Sequence, residues 1–402
     1  MKLKRQPEDF IVEEIADLPA TGGPFSLYLL EKRSLGTIEA LDGLRRRWNL
    51  DRKSVSYGGL KDRHAVTRQH VTVLGGPREG FETEHVRLSY LGAAAEPFKP
   101  THIAANRFRI VMRSLDRNDV DRARRALAEA GRDGVPNYFD DQRFGSVGRS
   151  GEFIGKAWCL EDYERALWLA LAAENDHDRP NDKKQKELLR RHWGDFPLLK
   201  RSLDRSNRRS IITFLVDRPG DFKGAFGRLD PELRGLWRNA FQSHVWNKVV
   251  AAEILAVVGP ARCAFFKLRT AAVPFFGPLD ESERSRLWAF KPPLPSQRMR
   301  CDDDAFRARI AAAVRAEGLE LEQMRIRYPK DEYFSRGERD AVLRVDQVEA
   351  EDAADELYPG KRKLSLAFVL GRGSYATMVV KRITEAAVES KPADAKHDRS
   401  LS

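Results

Sequence analysis

KLSLAFVLG, residues 363–371, is apolar at nearly every position, and its leucines, phenylalanine and valine suit a buried strand. Such a strand needs a sheet to join, and the middle of the chain offers none. Between about 158 and 327 the patterning is helical: LEDYERALWLALAAE at 160–174, DKKQKELLRRHW at 182–193, LWRNAFQSHVWNKVVAAEILAVVG at 236–259 and CDDDAFRARIAAAVRAEG at 301–318. The acids Asp302 to Asp304 open the last of these and read as a helix cap and first turn rather than a metal cluster. Strand character returns only near the two ends. EDFIVEEI at 8–15 and RHAVTRQHVTVLG at 63–75 alternate like strands, beside the helical TIEALDGLRRRW at 37–48 and NDVDRARRALAEAG at 118–131. Beyond 328, AVLRVDQVEAED (341–352) and TMVVKRI (377–383) also have strand character, the latter as a second strand or a helix start after a Gly-Arg-Gly-Ser turn.

Strands at both ends of a chain can share one sheet. The expected organisation is therefore an α+β domain made of residues 1–157 and 328–385, interrupted by a mainly helical insert over 158–327. The tail 386–402 has too little apolar content to pack and is expected to be disordered.

Composition narrows the function classes. The 402 residues carry 71 Lys and Arg against 60 Asp and Glu, a net charge of +11, which suits approach to a polyanion. No apolar run nears the ~18–20 residues that span a bilayer, and MKLKRQPEDFIVEEI lacks the apolar core of a signal peptide, so a cytoplasmic location is expected. Cys159, Cys263 and Cys301 form no C-x-x-C pair and argue for neither zinc nor disulfides.

Three stretches concentrate chemistry. In GGLKDRHAVTRQH, 58–70, two glycines permit a turn and one acid, Asp62, stands among cations that favour its ionised form. If 60–64 is extended, Lys61 and Arg63 point away from Asp62. Taken alone, the stretch favours an ordinary salt-bridged surface aspartate, with His64 and His70 solvated or locally bonded. GVPNYFDDQRFG, 134–145, combines aromatic faces, amides and an arginine, the groups that stack on bases and bind their edges or phosphates, although a turn with structural aromatics fits too. FVLGRGSYATMVVKRI, 368–383, has a glycine-rich turn without the order of a P-loop, so no nucleotide triphosphate is expected.

Together with PEDFIVEE at 7–14 and QSHVWN at 242–247, these motifs resemble the TruD family of tRNA pseudouridine synthases. The matching elements are GGLKDRHAVTRQ, NYFDDQRFG and GSYATMV. The resemblance implies a pseudouridine-synthase core with a mixed, largely antiparallel sheet and flanking helices, interrupted by an inserted TRUD domain. It implies Asp62 as catalytic nucleophile, Phe10, Asn137 and Tyr375 at substrate-contacting positions, and Phe139 as a further pocket wall. It also implies tRNA as substrate, modified at position 13. No metal, cofactor, membrane association or obligate protein partner is expected, and the enzyme is expected to act as a monomer. Asp140 stands where glycine is common after NYF, and Leu-Gly-Arg at 370–372 replaces a more usual Leu-Pro; both bear on loop geometry and RNA preference. The rivals are a non-catalytic RNA-binding protein, the same chemistry at other RNA sites, and a metal-dependent nuclease, for which the motifs offer no acid or histidine cluster.

Overall fold

In the computed structural model, which describes residues 1–176, 178–330 and 332–385, the anticipated strand forms over Arg362–Gly371 with Leu364, Leu366, Phe368 and Leu370 buried. The 386–402 tail lies outside the described residues. The partners of this strand are Asp346–Ala354 on one side and β7 (Ile103–Leu115) on the other, both antiparallel. Residues as far apart as Gly371 and Ala105 thus pair in one sheet, as the patterning at the chain ends requires.

On the far side of β7 lies β1 (Phe10–Ala16), antiparallel to it and parallel to β4 (Val66–Leu74). The sheet continues antiparallel through β2 (Phe25–Arg33), β6 (Val86–Ala94) and β5 (Phe81–Glu82), while the short β3 (Val55–Tyr57) also pairs with β4. One parallel pair in an otherwise antiparallel sheet, with helices packed on it, is the mixed arrangement expected.

Helix α1 (Thr37–Trp48) starts where Gly36 donates its N–H to Glu39 and stops at Asn49, whose φ of 49° is left-handed. Its Ala40, Leu41 and Leu44 pack against Tyr28, Leu30, Val71, Val73 and Leu88. By strand parity, that same sheet face carries the buried polar residues Lys32, Thr67 and Gln69. Helix α2 (Arg117–Asp133) is capped by Asp116, which accepts from the Asp119 N–H at 2.7 Å.

TMVVKRI is helical, within Ala376–Glu385, so of its two readings, second strand or helix start, the helix is the one that forms. Ala376, Val379, Val380 and Ile383 are buried at the i, i+3, i+4, i+7 spacing of a helix, with Met378 buried beside them, and Arg382 pairs with Glu129 of α2 at 2.7 Å. The β-branched side chains fit either element; the period decides.

Contacts divide the chain into two units, Met1–Val135 with the residues from Leu343 on, and Pro136–Val342. The breaks expected from patterning, at 157/158 and 327/328, fall within the range of the second unit. Residues 136–157 are tied into it by the Tyr138 hydroxyl, which donates to the Pro274 carbonyl at 2.8 Å, and by Asn247, which both accepts from and donates to the backbone of Phe139. The second unit has its own core, with Trp158, Leu167, Leu199, Ile212 and Phe226 buried. QSHVWN lies on its longest described helix, Pro231–Val258, where Gln242 donates to the carbonyls of Pro295 and Ser335, and Trp246 donates to that of Pro292. These polar groups work as internal braces. Asp303 accepts from the Phe306 N–H at 2.9 Å, so the acids at 302–304 do cap a helix.

In the first unit a buried cation ties the ends together. Arg113 of β7, 2% exposed, bonds Asp9 through Nε and Nη2 and Asp355 through Nη1 at 2.8–3.0 Å. Its backbone exchanges two hydrogen bonds with Lys2. Removing the cation would strand two buried carboxylates, so Arg113→Met is expected to cost about 3–5 kcal/mol. A urea titration followed by circular dichroism checks this; an unchanged midpoint contradicts it.

Candidate active site

The loop between β3 and β4 has no ladder bonds of its own, and four buried polar side chains hold it. The Lys32 ammonium donates to the carbonyls of Leu35 and Asp62, each at 2.7 Å, and lies 3.5 Å from that of Lys61. Thr37, at the start of α1, accepts from the Lys61 N–H at 3.0 Å and donates to Gln69, which in turn donates to the Gly59 carbonyl at 3.1 Å. Glu14 of β1 receives the Lys61 ammonium at 3.0 Å, and Asn106 accepts from the same group at 2.6 Å. Gly58 is required by close approach: a Cβ there would sit 2.4 Å from Ile103 Cδ1 and 2.8 Å from Phe98 Cε1. Gly59 has open space around it, so the pair does not act as a left-handed turn.

With the backbone pinned, neighbouring side chains diverge. Lys61 goes to Glu14 and Arg63 to Glu39 at 3.0 Å, while Asp62 faces Lys4 at 3.6 Å with 39% of its side chain exposed. The separation of Asp62 from its sequence neighbours thus appears, although 60–64 is a loop and not a strand. His64 is exposed. His70 stacks on Phe98 and donates its backbone N–H to Glu14 at 2.8 Å. Burial opposes the Glu14 charge, yet hydrogen bonds from His70 and the Lys61 ammonium hold its carboxyl below the usual range. Burial pushes the Lys32 ammonium down to about 8; Asp62 and Glu39 pull it up, and Lys61 pushes it further down.

Lys4 joins two of the expected site residues. Its ammonium is 3.8 Å from the centroid of the Phe10 ring as well as 3.6 Å from Asp62. Phe10 is 4% exposed, edge-on to Phe108, which stacks on Phe368. Lys4 takes a left-handed φ of 50°, between Lys2, which pairs with Arg113, and Arg5, whose N–H donates to Asp9 at 2.9 Å. No local pattern marks this lysine in the sequence, because the fold brings it to Asp62 from 58 positions away. Tyr375 is half-buried just before the helix Ala376–Glu385, its carbonyl accepting from the Met378 N–H.

Asn137 and Phe139 lie in the second unit and are joined by Arg339. Asn137 accepts from Arg339 Nη2 at 2.5 Å and donates to the Asp340 carbonyl at 2.8 Å. The Arg339 guanidinium lies 4.5 Å from the Phe139 ring, which meets Trp246 edge-on. Arg339 is a second residue that sequence reading missed, since it sits 202 positions beyond its partner. Of the two departures, Asp140 is buried and Gly371 is exposed with open space around it.

Residues 1–261 match the family model described as tRNA pseudouridine synthase D (TruD). A tRNA pseudouridine synthase D of Geobacter metallireducens is 32% identical, covering 95% of this chain and 94% of the relative. That of Aquifex aeolicus is 26% identical, covering 95% and 98%. A crystal structure of a protein assigned to TruD from Methanosarcina mazei matches with a TM-score of 0.75 over 96% of this chain and 93% of that one, at 24% identity, and so has the same fold.

The Lys32 value lies below the ordinary 10.5, so between about 8 and 10.5 the folded chain binds fewer protons at this site than the unfolded one. The contribution of Lys32 to stability therefore rises with pH across that window. Urea midpoints of the native protein minus those of Lys32→Met should increase from pH 8 to pH 10; a flat or falling difference contradicts the buried charge.

Proposed function

Because the chain belongs to the TruD family of tRNA pseudouridine synthases, we propose that it converts uridine to pseudouridine at position 13 of tRNA and that Asp62 is the nucleophile. The observation that carries this reading is the placement of Asp62: a partly exposed carboxylate on a loop pinned by Lys32, Thr37, Gln69 and Glu14, with the Lys4 cation beside it. A fixed carboxylate next to a positive charge suits attack on a carbon centre, because orientation lowers the barrier before chemistry begins.

The reaction is an isomerisation. The N1–C1′ bond breaks with its electron pair leaving on the uracil, and the Asp62 carboxylate bonds the sugar. The uracil turns, C5 joins C1′ as the carboxylate is released, the C5 proton is lost and N1 gains one. In a second route Asp62 first takes a proton from the ribose. Neither route requires an oxidant or a donated group.

A uridine in a helix must leave its stack, at a cost on the order of a few kcal/mol that contacts in the pocket offset. The Phe10 face is covered by the Lys4 ammonium, so a base that stacks there needs Lys4 to swing aside on its flexible stem. Tyr375 is the other proposed contact from the first unit. The Asn137 amide is already engaged, so in this reading it aims Arg339, with Phe139 as the wall on which that guanidinium rests. The helical middle, 158–327 by patterning, serves as the inserted RNA-gripping module. No helix among the described residues is long and apolar enough to cross a membrane. The proposal has the enzyme acting in the cytoplasm, as a monomer, without cofactor.

Incubation with an unmodified tRNA transcript, followed by pseudouridine mapping, tests this. The native protein should modify one uridine at position 13, and Asp62→Asn should lower the rate on the order of 10⁴-fold or more. Full activity in Asp62→Asn contradicts the assignment. Tight tRNA binding without product would favour the non-catalytic rival, and product elsewhere would reassign the target.

A further inference from the structure

The second unit contains a cavity of about 290 Å³ that none of the recognised motifs accounts for, formed by the segments 296–298, 324–327 and 332–336 together with Lys330. Its lining is strongly basic. Arg298, Arg325, Lys330 and Arg336 have no carboxylate partner among the described residues, and Arg327 is paired with Glu161. The acid among the described lining residues, Glu332, cannot balance them, because one oxygen receives Arg234 at 3.2 Å and the other Arg238.

Two donors in this lining are also left over. The Ser296 hydroxyl, on a residue 4% exposed, and the Arg325 Nε are both buried without a hydrogen-bond partner. A buried donor without an acceptor is costly, and an anionic oxygen is the acceptor that a cation-lined cavity favours. Beside them Tyr333 is 66% exposed, an aromatic residue next to a concentration of positive charge.

We propose that this cavity is a phosphate subsite for the RNA backbone, with Tyr333 stacking on an adjacent base. The proposal rests on the reading of the chain as an RNA-modifying enzyme. Arginine forks match phosphate oxygens, and an exposed aromatic beside them is the arrangement that grips single-stranded nucleotides irrespective of sequence.

The test measures binding of an unmodified tRNA transcript to the full chain across a potassium chloride series. The triple variant Arg298→Gln/Lys330→Gln/Arg336→Gln removes exposed charges from the cavity. A control, Lys183→Gln/Lys184→Gln/Arg191→Gln, removes the same charge from an exposed face elsewhere in the same unit. The cavity variant should bind at least about tenfold more weakly than the control, with the slope of log affinity against log salt reduced by about two to three. Tyr333→Ala should weaken binding about five- to a hundredfold at unchanged slope. A cavity variant that binds like the control, or like the native protein, overturns the proposal. A native protein that binds tRNA with this salt response but forms no pseudouridine would refute the catalytic reading and leave the subsite standing.

Discussion

The Lys32 ammonium, fully buried beneath the loop that carries Asp62, is the constraint on which the site depends. A charge in that position is expensive, which is why burial draws its pKa down to about 8. In return it reaches carbonyls on two separate segments, Leu35 before α1 and Asp62 itself, and so cross-links them. A neutral side chain of similar length could not bridge them with a charge-assisted bond to each. Thr37 and Gln69 add neutral bonds to the same loop, and Glu14 draws Lys61 out of the way of its neighbour.

Arg113 plays the matching part for the N-terminal segment. Through Asp9 and the backbone of Lys2 it folds residues 2–9 back along β7, which delivers Lys4 to both Phe10 and Asp62. The aspartate is therefore set by two buried cations that never touch its carboxylate. One fixes its backbone and the other fixes the segment bearing its charge partner. Changes at Lys32 or Arg113 should propagate to Asp62 through geometry, not through direct loss of a reacting group.

Elements were legible in the sequence where one period dominated. TIEALDGLRRRW is a helix over the same twelve residues, and KLSLAFVLG is a strand shifted by one position at its start. TMVVKRI was ambiguous because Val379, Val380 and Ile383 satisfy strand propensity while their spacing satisfies a helix. Asp62, Phe10, Asn137, Phe139 and Tyr375 were singled out because their motifs are local. Lys4, Lys32, Glu14 and Arg339 were not singled out, since each earns its place through a partner 30 to 202 positions away. Lys32, within the charged EKR at 31–33, reads as surface, and only the strand register turns it inward.

The most direct measurement is the single-turnover rate of Lys32→Met at saturating tRNA, taken together with its tRNA affinity. If the buried ammonium sets the position of Asp62, the rate should fall about a hundredfold or more while affinity stays within about threefold of the native protein. A native rate in this variant would show that Asp62 is placed without it, and a loss confined to affinity would show that Lys32 serves RNA binding instead.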